Sequence, residues 1–125
     1  MSSAMILVVD DSTTIRHQVR TCLQAAGYTV IEAENGAIGL QKAKDHPIDM
    51  AIVDINMPVM DGLEMLASLR SVPGKQGIPV FVLTTESSKD LVTRGKRYGA
   101  TAWIVKPFKP DVLVKGVKHV LARAA

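Results

Sequence analysis

A doubly wound α/β domain on a five-stranded parallel sheet is what this sequence predicts, and three observations predict it. Short runs of β-branched and aliphatic residues recur five times: MILVVD (5–10), YTVIEA (28–33), MAIVD (50–54), PVFVLT (79–84) and AWIV (102–105). Segments with the apolar spacing of a helix alternate with them. The first, third and fourth runs are apolar without interruption, as strands covered by helices on both faces must be. Right-handed crossovers then give a flavodoxin-like sheet of order 2-1-3-4-5 with five helices, which binds ligands at the carboxyl ends of its strands.

Each helix has its own markers. Ile15, Val19, Cys22, Leu23 and Ala26 fall on one helical face, with Ser12 placed to cap its start and Gly27 its end. Asn35 caps a second helix over 36–44. Asn35-Gly36 is also a hairpin signal, but IGLQKAK beyond it does not alternate as a strand would. Asp61-Gly62 reads as a cap and tight start for a third helix over 62–71. The segment 88–98 is a weak helix with few apolar residues, and Gly95 inside it costs about 1 kcal/mol relative to Ala. Leu113, Gly116, Val117, Val120 and Leu121 line the last helix, with Pro110 in its first turn.

The 125 residues form one domain, 1–125, and 47% hydrophobic content is enough for a core. A formal charge of +3 is spread along the chain rather than blocked, which predicts a solvated surface and no nucleic-acid footprint. The lone Cys22 excludes an internal disulfide framework and a multi-cysteine metal site. The start MSSAM lacks the features of a signal peptide, and no apolar run approaches the roughly 18 residues of a membrane span, so a cytoplasmic protein with no membrane contact is expected.

Two strands end on carboxylates: the first on Asp10 and Asp11, the third on Asp54. A buried, unpaired charge costs several kcal/mol or loses its ionisation, so the repetition points to purpose. If those strands are neighbours, three carboxylates share one cleft, and each pair about 5 Å apart repels by about 3 kcal/mol at an effective dielectric near 20. No His or Cys stands at ligand spacing nearby, so a hard, oxygen-seeking cation such as Mg2+ fits better than zinc. Lys106, ending the fifth strand, brings a second positive charge, and Thr84, ending the fourth, a hydroxyl. This set suits phosphoryl transfer onto an aspartate. Asp54 is the candidate nucleophile, because the adjacent Asp10 and Asp11 can jointly anchor the metal.

The motifs VVDDS, VDINMPVMDG, LTTE and VKPF occur in the order and spacing of the response-regulator receiver domain, and the chain resembles that family over essentially its full length. The resemblance implies Asp54 as phospho-acceptor and Asp10, Asp11, Asp54 and the backbone carbonyl of Asn56 as metal ligands. It further implies Thr84 as switch hydroxyl, Lys106 as phosphate-binding lysine and a cis bond before Pro107. It describes a regulator that assists its own phosphorylation and dephosphorylation rather than an enzyme acting on other substrates.

In that family an aromatic residue of the fifth strand turns inward when the hydroxyl is drawn to the phosphoryl group. Trp103 holds that position, a departure from the usual Tyr or Phe, and the larger indole is expected to enter less readily. Thr85 replaces a residue that is often small and is expected to narrow access to the site. Asn56 and Glu86 occupy positions that tune hydrolysis, and as a pair resemble those of chemotaxis regulators with short-lived signals. The weak fourth helix, Trp103 and the last helix, with Lys109, Lys115 and Lys118, form the expected partner face.

The function this implies is a monomeric, single-domain CheY-type chemotaxis regulator, without an output domain. It takes its phosphoryl group from a histidine kinase and acts on a partner such as a flagellar motor switch protein or a phosphatase. The alternative within the family is a phosphorelay intermediate that passes the group to a histidine phosphotransfer protein. An alternative of another class is a small haloacid-dehalogenase-like phosphohydrolase. That fold carries its acids as DxD after the first strand, whereas Asp10 and Asp11 are adjacent.

Overall fold

The alternation of strand-like and helix-like segments folds as five βα units. The computed structural model describes residues 3–124. In chain order its elements are β1 (Met5–Val9), α1 (Thr13–Ala25), β2 (Thr29–Ala33), α2 (Gly36–Asp45), β3 (Met50–Val53), α3 (Gly62–Leu69), β4 (Val80–Thr84), α4 (Lys89–Arg97), β5 (Ala102–Val105) and α5 (Pro110–Ala124). All strand pairs are parallel and the sheet order is β2-β1-β3-β4-β5, the flavodoxin-like arrangement the sequence predicts. β1 and β3 stop one residue before Asp10 and Asp54, so both acids fall just outside the ladder.

Helix starts follow local hydrogen bonding. The side chains of Ser12, Asn35, Asp61 and Ser88 accept from the backbone N–H groups of Ile15, Ile38, Glu64 and Leu91, satisfying donors that a helix leaves open at its first turn. Asn35-Gly36 therefore opens a helix and not a hairpin. Gly27, at φ +97°, turns the chain out of α1 in the left-handed region.

Successive strand residues point to opposite faces and build two cores. On one face Leu7, Val9, Ala51 and Val53 pack with Ala43 of α2 and Met65, Leu66 and Leu69 of α3. On the other, Ile6, Val8, Met50, Ile52 and Phe81 pack with Val19 and Leu23 of α1 and Leu113 and Val117 of α5. Each fully buried aliphatic side chain contributes about 1.5–3 kcal/mol, enough to hold the strand ends in fixed relative positions. Cys22 is half-buried at the edge of the second core. No helix among the described residues is long and apolar enough to cross a membrane.

α4 buries least, as its composition predicts; Gly95 is its one fully buried residue. The sequence reading of Gly95 as a plain helix-weakening residue needs correction. A Cβ there would lie 2.8 Å from Cζ3 and 3.2 Å from Cε3 of Trp103, so the bare backbone is the seat of the indole. Trp103 also packs with Leu91 and Ala100 against Ile55, Leu63 and Val82, and its Nε1 donates to the Glu86 carbonyl at 2.8 Å.

Behind α4, one guanidinium holds several segments. Arg70 donates to the carbonyls of Gln76 and Ile78 in the loop after α3 and of Tyr98 and Gly99 after α4, at 2.8–3.0 Å. Burial pushes its pKa below the usual arginine value.

Candidate functional site

The parallel register carries the acids to one place. Val9 pairs with Val53, and the Asp54 N–H donates to the Val9 carbonyl at 2.9 Å, so the residues following β1 and β3 emerge side by side. Asp10, Asp11 and Asp54 each offer an oxygen within 4.8 Å of the other two. Asp10 is 2% and Asp54 6% exposed, while Asp11 faces solvent. By Coulomb's law each pair at such a separation repels by about 3.5 kcal/mol at an effective dielectric near 20.

Lys106 answers part of that charge from across the sheet. It follows β5, where its N–H donates to the Thr84 carbonyl at 2.8 Å. Its Nζ reaches Asp10 Oδ2 at 2.8 Å and Asp54 Oδ2 at 3.2 Å, with the lysine side chain 13% exposed. Burial pushes the Asp10 carboxyl above the ordinary range, against the hydrogen bonds from Lys106 and the Ser12 N–H, and the Asp54 charge pushes the same way. Burial alone would lower Lys106, but hydrogen bonds and charge from Asp10 and Asp54 outweigh it and hold the ammonium above its usual value. The bond between Lys106 and Pro107 is cis.

The remaining oxygens are anchored to backbone. Asp54 Oδ1 accepts from the Ile55 N–H at 2.7 Å, and Asp10 Oδ1 from the Ser12 N–H at 2.9 Å. The Asp10 carbonyl also accepts from Arg16 Nη1 at 2.6 Å, which ties α1 to the site. Gly62 closes the loop from behind: any Cβ there would run into the backbone carbonyl of Asp54.

The other candidates stand around the rim. Thr84 is fully buried at the end of β4, and its hydroxyl oxygen accepts from the Glu86 N–H at 3.3 Å, leaving its own proton free to donate. Thr85 and Asn56 are exposed, and Asn56 Nδ2 donates to Glu86 Oε1 at 2.8 Å, bridging the loops after β3 and β4. Trp103 lies farther back under α4, and Lys109 is exposed just before α5. The structure thus joins Asp10, Asp11, Asp54 and Lys106 directly, whereas Thr84 is turned to the backbone of its own loop.

Three carboxylates face one ammonium, so the crevice keeps an excess of negative charge and an all-oxygen donor set open to solvent through Asp11. That chemistry fits a hard divalent cation such as Mg2+. Sequence reasoning missed Arg70, the seat at Gly95 and Val59, which has φ +71° in the loop after β3. Only Val59 left a local signal, a Pro-X pair in a turn where X is normally Gly or Asn.

Comparison with known proteins agrees with this geometry. Protein PilH of Pseudomonas aeruginosa is 34% identical over 119 residues, covering 95% of this chain and 98% of PilH. The transcriptional regulatory protein PrrA of Mycobacterium tuberculosis is 37% identical over 123 residues, and there the chain spans about half of the relative, 52%. Among solved structures, the chemotaxis protein CheY4 of Vibrio cholerae superposes with a TM-score of 0.90 at 43% identity, covering 94% of this chain and 98% of that one. The family model for the response regulator receiver domain matches residues 6–118, from β1 into α5 and across every strand end that shapes the acidic crevice. This chain belongs to the response regulator receiver domain family.

Proposed function

We propose that residues 1–125 act as one phosphorylation-controlled switch, with Asp54 as the phospho-acceptor. The observation that carries this reading is the Lys106 ammonium lying between Asp10 and Asp54, at 2.8 and 3.2 Å, beside the exposed Asp11. An Asp54 oxygen attacks phosphorus, the Oδ–P bond forms as the P–N bond of a kinase phosphohistidine breaks, and the leaving imidazole takes up a proton. Lys106 neutralises a phosphoryl oxygen as charge builds on it. Asp10, Asp11, Asp54 and the carbonyl of Asn56 would hold Mg2+, which when bound supplies further positive charge to the phosphoryl oxygens. The free proton of the Thr84 hydroxyl serves a third oxygen.

The added charge of about −1.5 to −2 then acts on the face formed by α4, β5 and α5. Turning Thr84 toward the phosphoryl group releases the Glu86 N–H, in the same residue whose carbonyl accepts from Trp103. We place partner binding there, with Lys109 at its edge, in a cytoplasmic and monomeric protein that binds no nucleic acid. The histidine kinase and the partner are of chemotaxis type in this reading, the partner resembling a flagellar motor switch protein; the similarity to CheY4 supports it.

Incubation with acetyl phosphate and Mg2+, read by intact mass, tests the acceptor. The unsubstituted chain gains one phosphoryl group and Asp54→Asn gains none. Equal labelling of Asp54→Asn would move the acceptor elsewhere.

A further inference from the structure

The loop between β3 and α3 contains a residue whose conformation and exposure both run against its chemistry. Val59 has φ +71°, and the Met60 N–H donates to the Pro58 carbonyl at 2.8 Å, which closes a three-residue turn around a centre in the left-handed region. That turn is rare and strained even for permissive residues, and a β-branched side chain is the least suited to it. The Val59 side chain is 82% exposed, so burial within the chain returns almost nothing for the strain. Asn or Gly would hold the same turn more easily.

The surroundings keep the turn in place. Gly36 N–H donates to the Met60 carbonyl at 3.0 Å and Gly62 N–H to the Ile55 carbonyl at 3.0 Å, while Met57 and Met60 pack against the core. The loop is therefore pinned on both sides of Val59. It begins at Asp54 itself and runs to Asp61, and Gly62, the first residue of α3, packs against the Asp54 carbonyl. The segment Met57-Pro58-Val59-Met60 is wholly apolar, on the rim of a crevice built from charges. An outward apolar side chain held on such a rim gains burial only when another surface covers the crevice.

We propose that Val59 is a docking contact for the protein that delivers the phosphoryl group, a phosphohistidine-bearing domain whose apolar surface covers this rim while its imidazole reaches Asp54. The proposal rests on Asp54 being the acceptor. A small donor slips into the crevice without touching Val59, whereas a protein donor must lie over it. Val59 thus selects between donor classes and takes no part in the chemistry.

The test compares two donors on three chains: unsubstituted, Val59→Asn and Val59→Ile. The small donor is acetyl phosphate; the protein donor is the autophosphorylated phosphotransfer domain of a chemotaxis-type histidine kinase, selected from a panel by transfer to the unsubstituted chain. Val59→Asn should raise the thermal midpoint, keep the acetyl phosphate rate within about twofold, and slow transfer from the protein donor about tenfold, the loss expected for one apolar contact left exposed. Val59→Ile should retain the protein-donor rate. An unchanged protein-donor rate in Val59→Asn, equal slowing with both donors, or labelling of the unsubstituted chain by acetyl phosphate but by no protein donor would each overturn the proposal. No labelling of the unsubstituted chain by any donor would instead overturn the assignment of Asp54.

Discussion

Replacing Gly95 by Ala sets helix propensity against packing, and the structure says which prevails. In an exposed helix interior the change stabilises by about 1 kcal/mol. Here the new Cβ would sit 2.8 Å from Trp103 Cζ3, and the indole cannot simply retreat, because Nε1 is hydrogen-bonded to the Glu86 carbonyl. Overpacking costs about 1–3 kcal/mol, and surrendering the hydrogen bond adds about 1 kcal/mol. The balance is a destabilisation of about 1–3 kcal/mol, or a midpoint lowered by about 4 °C per kcal/mol in a chain of this length. Trp103 is the sole tryptophan, so one urea titration reads both stability and the indole's surroundings, with a red-shifted emission expected in the folded variant. Adding Trp103→Phe should restore part of the loss, because the two positions are coupled. A Gly95→Ala chain stabilised by about 1 kcal/mol with unchanged emission would refute the reasoning.

Three further predictions concern the crevice. Lys106→Met should cost about 3 kcal/mol near neutral pH in urea unfolding, since it removes one partner from a buried charge cluster. Asp10 has a raised pKa, so its contribution to stability is full below 3.8 and is lost as pH rises through the raised folded value. Lys106 is also raised, so its contribution is full below 10.5 and is lost as pH rises through its folded value. The cost of Lys106→Met should therefore be full near neutral pH and shrink as pH rises through the raised folded value of the lysine, and a cost unchanged at high pH would contradict the assignment. Mg2+ at about a hundred times its dissociation constant should stabilise the chain by about 2.7 kcal/mol, seen as a raised thermal midpoint, and Asp11→Asn should shift that response to higher Mg2+. The phosphorylated form should decay quickly, followed by intact mass, with the Asn56–Glu86 pair governing the rate; persistence for many hours would exclude a short-lived signal.

The strand ends were readable because apolar runs halt on Asp10 and Asp54, which no propensity for strands explains. Helix starts were readable because Ser12, Asn35 and Asp61 act within three residues of themselves, and local hydrogen bonding leaves local signatures. Lys106 could be placed at the crevice from its position after β5, although its sharing between two carboxylates could not. Gly95 was misread because the indole it receives comes from another element, and a lone glycine in a helix looks the same whether empty space or a ring faces it. Arg70 gave no sign because all four of its partners are backbone carbonyls, which every residue type supplies. Thr84 marks its strand end plainly, but the direction of its hydroxyl depends on a rotamer that sequence does not encode locally.

The ammonium shared by two acids joins positions 96 and 52 residues apart along the chain. Contacts of such span are slow to form, since loop closure must precede them. Lys106 follows the edge strand, the last of the five to leave a ribosome, so a nascent or misfolded chain has acids but no cation between them. On the proposed function, the crevice is complete for accepting a phosphoryl group only once the last strand is in place.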